Sequence, residues 1–460
     1  MTTPEKPHNR WLIAIMGTLL QMCLGTVYAW SYFQKPLVDG FGWSNAAVAG
    51  AFSTAICALG LAAAWGGINL AKYGPTKLAM GGGALFGIGY LLGAYALNIH
   101  SLVLLYIGYG VIGGAGLGLG YVTPVATCAK WFPDKKGFIT GMVIMGFGLG
   151  ALLMSKVFAP MLMEYTQGNV MMVFAYLGVI FLVLTIPIGS FMKNPPAGYV
   201  PEGFTPPPAP VSATCKAMEE VIHPTMTYIM SKKFIIMWVI FFCNITAGIA
   251  IIGFQSPLLQ DLYISSDAQY GVVRELKALA APTAEQTTQL NDLIKILAGF
   301  GATLIGITSL FNGLGRFFWG GLSDKIGRVQ AFRLLVGTQI LVFVALAYVG
   351  NPWIFGLLFC YILLCYGGGF GTMPSFVLDV YGAKMMPTVY GIILTAWSAA
   401  GIVGPQFAGF IKDKFPAQAS LYTFWASAGI LAFGLILSFL IGNEKFEVAE
   451  APVQKAEATA

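Results

Sequence analysis

A single arginine is the residue best placed to do chemistry, because it lies within an apolar segment. Arg316 falls inside residues 296–322, and Asp324, eight residues later, marks the end of that segment. Eight helical residues span roughly 12 Å, so Arg316 would lie well inside a membrane, whereas Glu164 and Asp379 lie toward span ends. A buried arginine costs at least about 3 kcal/mol unless it faces water or a partner, and its planar guanidinium can bind a carboxylate bidentately. We predict that Arg316 binds a carboxylate; the alternative is a structural ion pair or a clamp on backbone carbonyls.

Aromatic residues in other apolar segments could enclose such an anion. Tyr28, Tyr121 and Tyr366 offer hydroxyls, whereas Trp397 offers a rigid wall. Each of them could serve packing alone, but they fall in the first, fourth, tenth and eleventh apolar segments, which would line a central cavity. Further candidates are Phe147, Phe370, Trp30 and Asn312, the last of which lies one helical turn before Arg316.

The composition is that of a chain surrounded by lipid. Of its 460 residues, 57% are apolar and 10% are charged, whereas soluble domains average roughly a quarter charged. Apolar stretches of about 18 residues or more, the length that crosses hydrocarbon, recur along nearly the whole chain. The sequence predicts an all-α membrane protein with twelve transmembrane helices. The predicted spans are residues 11–33, 46–71, 76–97, 102–129, 138–163, 169–192, 233–259, 296–322, 329–350, 352–380, 387–411 and 417–442.

The predicted spans divide into two halves of six that resemble each other. Residues 65–67, Trp-Gly-Gly, recur as residues 319–321, and Pro124 recurs as Pro374 at a similar offset. Such a repeat is typical of a transporter with two rocking halves. The predicted divisions are an N-terminal half (1–192), a cytoplasmic Pro-rich linker (193–231), a C-terminal half (232–442) with an extracellular insert (260–295), and a cytoplasmic acidic tail (443–460).

Basic residues indicate the orientation of the chain. Most of the 25 Lys and Arg fall in loops that share a side with both termini when the spans are counted. Cytoplasmic loops are enriched in these residues, so both termini are predicted to be cytoplasmic. The N-terminal segment has no cleavage site of small residues and is interpreted as an uncleaved signal anchor in the cell inner (plasma) membrane.

The polar insert between the seventh and eighth spans has its own helical pattern. The stretch VRELKALAAPTAEQTTQLNDLIKIL predicts a short amphipathic helical hairpin that Pro282 breaks. The alternative is a solvated cap on the outer surface.

The loop after the eighth span has a recognisable pattern. Residues 320–328 read GGLSDKIGR, which looks like the G-x-L-x-D-x-x-G-R loop of the major facilitator superfamily. There Asp324 could cap the next helix or pair with Arg328 across a cytoplasmic gate, and both are predicted as gating residues. The corresponding stretch after the second span has Ala71 at the acidic position, so it has lost the gate charge.

Other motifs resemble the oxalate/formate antiporter family of that superfamily, with likeness to monocarboxylate transporters. The stretches are LGTVYAWS at 24–31, WFPDKKG at 131–137, residues 312–328 and YGGGF at 366–370, and the resemblance covers all twelve spans but not the insert. The resemblance implies that Arg316 is the carboxylate-binding arginine of the family. It also implies that the aromatics of the binding cavity are Tyr28, Tyr121, Phe147, Tyr366 and Phe370. The dicarboxylate exchanger carries a lysine where this chain has Trp397, and the related proton symporters carry an aspartate where it has Asn312.

One cavity cation suits one carboxylate better than two. We therefore expect a secondary active transporter of monocarboxylates, such as lactate, pyruvate, formate or acetate, working by alternating access. The alternatives are oxalate:formate-type exchange, export of larger amphipathic compounds, and a non-transporting carboxylate sensor. The expected partners are the anion, with H+ as a candidate coupling ion, and the lipid bilayer; a monomer is expected. No P-loop, catalytic triad or metal-ligand spacing occurs, so we predict no enzyme, no cofactor and no nucleic-acid partner.

Overall fold

The computed structural model describes residues 9–196, 199–201, 225–279, 281 and 283–442. Within them, twelve helices are long and apolar enough to cross a membrane, which confirms the predicted all-α fold with twelve spans. The spans, α1 to α12, are Arg10–Phe41, Asn45–Tyr73, Pro75–Asn98, Leu102–Trp131, Phe138–Tyr165, Val170–Ser190, Lys232–Ile252, Ala284–Ile326, Arg328–Leu346, Pro352–Tyr381, Thr388–Lys414 and Pro416–Ser438.

Successive spans run in opposite directions, so their ends lie on two faces of the molecule. We call the face with Asn9 and the end of α6 the linker face. The opposite face is the insert face. Two helices that follow α7 lie there, Gln255–Ser266 and Ala268–Ala278, and from here on these two helices are called the insert in place of the predicted range 260–295. The predicted linker and tail fall largely outside the described residues, and the division into two halves at residues 192 and 232 stays a prediction.

Side-chain caps and one glycine explain several helix ends. The side chains of Ser44, Asn169 and Asn351 accept hydrogen bonds from backbone N–H groups in the first turns of α2, α6 and α10. Gly327 separates α8 from α9 with a φ of +89°, which residues with a Cβ rarely adopt.

Several spans depart from α-helical geometry. α1 tightens into a 3-10 turn at Thr26–Ala29, while α4 and α5 contain π-helical stretches at Tyr106–Gly113 and Met154–Phe158. The helix that begins with α10 continues to Ile393, and a second helix, Thr395–Lys414, begins after Leu394 and forms the rest of α11. Such irregular turns often occur at functional sites, and Tyr28 lies in the first of them.

The insert differs from its prediction. A helix at Gln255–Ser266 follows α7, and a second at Ala268–Ala278 precedes the long helix Ala284–Ile326. Thr283 begins that long helix with a reciprocal capping box, so the second arm of the predicted hairpin is the start of α8. Pro282, the predicted break, lies outside the described residues. Both predicted arms are therefore helical and pack against each other, but the second arm is not separate from the eighth span, because the polar segment after the cap continues into that span without interruption.

Glycines allow the spans nearest the arginine to pack backbone against backbone. A Cβ built on Gly148 of α5 would lie 2.8 Å from the Cα of Gly313 in α8, so the two halves touch closely there. A Cβ built on Gly371 of α10 would lie 2.8 Å from the Cα of Arg316. Close approach through small residues is common between membrane helices, and here it fixes α8 between α5 and α10.

We expect Gly371→Ala to destabilise the protein, since the added methyl group would force α8 and α10 apart. Overpacking of this kind typically costs about 1–3 kcal/mol. Gly429→Ala in α12 is the matched control, because its Cβ would meet nothing within 4 Å. Thermal unfolding in detergent would measure both variants. A Gly371→Ala protein as stable as Gly429→Ala would contradict the close α8–α10 packing.

Candidate functional site

Arg316 is buried at 2% exposure, and no carboxylate of the described residues balances its charge. Its Nη1 donates to the Tyr121 hydroxyl over 3.5 Å, and the guanidinium carbon lies 5.2 Å from the centroid of the Phe370 ring. The Nε and Nη2 atoms of Arg316 have no hydrogen-bond partner among the described residues. No carboxylate of the described residues forms an ion pair with Arg316. A carboxylate could accept hydrogen bonds from these two N–H groups and balance the buried charge. The structural ion pair considered as an alternative is not formed by the described residues.

Six of the seven aromatics named from the sequence pack together in this region. The ring centroid of Tyr28 lies 5.2 Å from that of Phe147, 5.8 Å from that of Tyr366 and 6.3 Å from that of Trp397. The Tyr28 and Tyr366 hydroxyls are 2.9 Å apart and form a hydrogen bond between the two halves.

The remaining members close the same cluster on the arginine side. The Trp397 ring lies 5.3 Å from the ring of Tyr121, 4.6 Å from that of Phe370 and 5.8 Å from that of Phe147. All six rings are at most 2% exposed, so the site is shut off from solvent in this conformation. We call these six rings with Arg316 the aromatic cage. Trp30 lies elsewhere and donates to Gln34.

Asn312 extends the site toward the insert face. It is buried and its Oδ1 has no hydrogen-bond partner among the described residues. With Tyr28, Gln255 and Thr308 it lines a cavity of about 10 Å³, close to the smallest space that holds one water molecule. Thr308 donates to Oε1 of Gln255 over 2.7 Å, whereas the Asn312 amide oxygen has no such donor among the described residues.

Two residues that the sequence prediction missed support the cage. Gln21 in α1 is fully buried and donates from Nε2 to the backbone oxygen of Tyr121 over 2.7 Å, which fixes α4 against α1. Tyr390 is 6% exposed, lies within electrostatic reach of Tyr121 and Arg316, and its hydroxyl has no hydrogen-bond partner among the described residues. Tyr390 precedes Trp397 by two helical turns, and that spacing could have identified it.

The predicted ion pair between Asp324 and Arg328 forms, and Arg328 has a second acidic partner. Arg328 Nη1 lies 2.6 Å from Asp324, and its Nε donates to Asp379 of α10 over 2.8 Å. All three residues lie in the predicted C-terminal half, so these ion pairs join α8, α9 and α10 to one another. Asp324 lies inside α8 and does not cap α9, whose N-cap is Gly327. A gating role for Asp324 and Arg328 stays a prediction.

Comparison with known proteins supports a common architecture. Residues 11–405 match the sequence model of the Major Facilitator Superfamily. The oxalate:formate antiporter of Oxalobacter formigenes is 26% identical over 437 residues, covering 93% of this chain and 90% of that protein. The apicoplast pyruvate carrier 1 of Toxoplasma gondii is 27% identical, with a match that covers 87% of this chain and 84% of that protein.

A crystal structure offers a likeness in fold. It is of a bacterial homologue of the human lysosomal transporter Spinster, in an inward-facing and unoccupied conformation. It superposes with a TM-score of 0.64 over 96% of this chain and 97% of that one, at 14% identity. At that identity the likeness concerns the fold alone.

Arg316→Met should leave the thermal stability of the ligand-free protein unchanged or raise it. The substitution removes an uncompensated buried charge, whose desolvation costs on the order of several kcal/mol. Arg328→Met is the matched control and should lower the melting temperature, because it breaks two ion pairs. Both are measured by thermal unfolding in the same detergent. A clear loss of stability in Arg316→Met would instead indicate a structural role for this side chain.

Proposed function

Because the chain belongs to the Major Facilitator Superfamily, we propose that it is a secondary active transporter of small organic anions that works by alternating access. The two six-helix halves would expose the aromatic cage to one side of the membrane at a time. The observation that carries this proposal is the Arg316 guanidinium, which is buried with two nitrogens that lack hydrogen-bond partners among the described residues.

The chemistry of the cage favours a small carboxylate as substrate. The free N–H groups of Arg316 suit the two oxygens of one carboxylate group, and Tyr121 could donate to one of them as well. The tightly packed rings leave little space, which argues for an anion of a few atoms and against export of larger amphipathic compounds. We propose a monocarboxylate such as lactate, pyruvate or formate, since Trp397 takes the place where a second cation could stand.

A second candidate is exchange of the oxalate:formate type. The relative from Oxalobacter formigenes, which matches over 93% of this chain, carries that name, and this likeness favours it. The other relative is named as a pyruvate carrier. Both names describe transport of small carboxylates, of which oxalate carries two carboxylate groups whereas formate and pyruvate carry one. A carboxylate sensor that does not transport would fail to move any of these anions in a flux measurement.

The proposed cycle uses the charge of Arg316. Tyr121 lies in the N-terminal half and Arg316 in the C-terminal half, so a carboxylate bound to both would join the halves. Neutralising the guanidinium lowers the cost of closing the site, whereas an empty charged site resists closure. Asn312 occupies the position of an aspartate in related proton symporters, so this side chain carries no titratable proton. The proton would therefore travel with the substrate, or the cycle would exchange one anion for another.

We further propose that the linker face is cytoplasmic and that the protein lies in the inner (plasma) membrane as a monomer. The enrichment of Lys and Arg in the loops of the linker face supports this orientation.

Arg316→Met should abolish uptake of the transported carboxylate in proteoliposomes. Losing one partner of a buried charge pair costs about 2–5 kcal/mol, so binding should weaken by at least roughly 30-fold. Arg333→Met is the control, because Arg333 lies in α9 and donates to the backbone of Ser438, away from the cage. Uptake of radiolabelled lactate, formate and oxalate is compared at equal reconstituted protein. Normal uptake by Arg316→Met would remove this residue from the mechanism.

Trp397→Lys should shift binding toward dicarboxylates, since it would place a second cation beside the cage. Stabilisation by a ligand grows with its concentration relative to Kd, and it reaches about 2.7 kcal/mol at 100 times Kd. Thermal shifts with oxalate and lactate are therefore compared in the wild type, in Trp397→Lys and in Trp397→Met, which removes the indole without adding charge. A preference for oxalate already present in the wild type would contradict the proposed monocarboxylate specificity.

A further inference from the structure

The insert is firmly attached to the C-terminal half. Its second helix and the start of α8 share a small apolar core of their own. The ring of Tyr263, in the first insert helix, lies 4.7 Å from that of Phe300 in α8. Both insert helices are therefore packed against α8. The members of the core are Tyr270, Val273, Leu276, Leu293 and Leu297.

The same insert reaches across to the N-terminal half through two ion pairs of opposite sense. Lys35 and Asp39 are one helical turn apart near the end of α1. Lys35 Nζ lies 4.0 Å from Asp261 of the first insert helix, and Asp39 lies 3.2 Å from Nζ of Lys277 in the second. Opposite charges on α1 thus meet opposite charges on the insert, an arrangement that selects one register between them.

Charged groups at the end of α11 extend this contact. Lys412 pairs with the other oxygen of Asp261 and so holds that carboxylate in position. Asp413 accepts hydrogen bonds from the backbone N–H groups of Asn45 and Ala46 at 2.9 Å each, and from Asn45 Nδ2 at 3.0 Å. A carboxylate of the C-terminal half therefore caps the first turn of α2 in the N-terminal half.

The linker face offers a contrast. There the ion pair of Arg10 with Asp134 lies within the N-terminal half, and that of Arg328 with Asp324 lies within the C-terminal half. These pairs do not oppose separation of the halves, whereas the contacts of the insert face do.

We propose that the insert is a strap that holds the insert face closed. Asp261 and Lys277, carried by the C-terminal half, bind Lys35 and Asp39 of the N-terminal half, and this contact must release before the aromatic cage opens to that face. The proposal rests on the alternating access proposed above, and it assigns to the insert a share in setting the ratio of the two conformations.

The pair of Asp39 and Lys277 gives the cleanest test, because both side chains are partly exposed, at 49% and 41%, and tolerate substitution. Spin labels at Asn98→Cys and Gly350→Cys report the distance between the halves on the insert face, in a background with Cys57 and Cys215 changed to serine. Distances are measured by double electron–electron resonance in lipid nanodiscs. Lys277→Met and Asp39→Asn should each raise the ratio of open to closed distances about two- to fivefold, the effect expected of one exposed ion pair.

A matched control and a rescue separate the strap from general damage. Arg274→Met removes an exposed cation from the same insert helix one turn away, and it should leave the distances unchanged. The double variant Asp39→Lys with Lys277→Asp restores opposite charges and should return the ratio toward that of the wild type. Raising the salt concentration should open the wild type by a larger factor than Lys277→Met, since ionic strength screens partly exposed charges and the variant retains only the pairs of Asp261.

Two results would overturn the strap: distances in Lys277→Met and Asp39→Asn that match those of Arg274→Met, or a charge swap that fails to restore the closed state. The distance measurement needs no transported substrate. A failure of the strap is therefore distinguishable from a failure of the proposed anion transport, which the Arg316→Met uptake assay tests.

Discussion

Burial of a guanidinium without a permanent counter-charge is the constraint around which the centre of this molecule is arranged. Arg316 is 2% exposed, and two of its nitrogens lack hydrogen-bond partners among the described residues. An acidic side chain in the cage would remove that cost, but it would also compete with any anion for the same N–H groups. Aromatic rings offer a compromise: the face of Phe370 attracts the cation, an interaction worth about 0.5–2 kcal/mol, and leaves its hydrogen-bonding edge free. The cage therefore lowers the cost of the empty state without filling the site.

The contacts proposed to recognise an anion also join α1 to α10 and α4 to α8. Tyr28 meets Tyr366 across the central interface, and Tyr121 meets Arg316 across the same interface. A ligand that bridges Tyr121 and Arg316 would stabilise the closed arrangement more than either half alone, because it is bound fully only when both halves contribute. The glycine crossings permit this geometry: α8 can bring Arg316 to the interface because Gly148 lets α5 approach, and Gly371 lets α10 support it from behind.

Much of this arrangement follows from the sequence because membrane spans are long, apolar and countable. Once the spans are counted, the position of Arg316 eight residues before Asp324 sets its depth in the membrane. The aromatics of spans one, four, ten and eleven are then expected to line one central cavity. Tertiary partners are harder to predict. Asp379 lies far along the chain from Arg328, and no local pattern indicates that α10 would take this arginine within one half. The boundary between the insert and the eighth span was misplaced for a different reason. The cap at Thr283 begins a polar helix that continues into the apolar span, whereas composition alone puts a boundary between the polar and the apolar part.

The strengths of the two sets of contacts are suited to a reversible cycle. Partly exposed ion pairs such as that of Asp39 with Lys277 contribute about 0.2–1 kcal/mol each. Together with the hydrogen bonds to Asp413, the strap can bias the closed insert face by roughly 1–3 kcal/mol. Reversing a two-state population from 99:1 to 1:99 needs about 5.5 kcal/mol of differential binding. A buried carboxylate–arginine pair, whose loss costs about 2–5 kcal/mol, is of comparable size to the strap and adds to it, because the anion is bound fully only when both halves contribute. A strap built from fully buried ion pairs would hold the face closed throughout the cycle, whereas ion pairs at the protein surface are weak enough to break when the cage opens to that face.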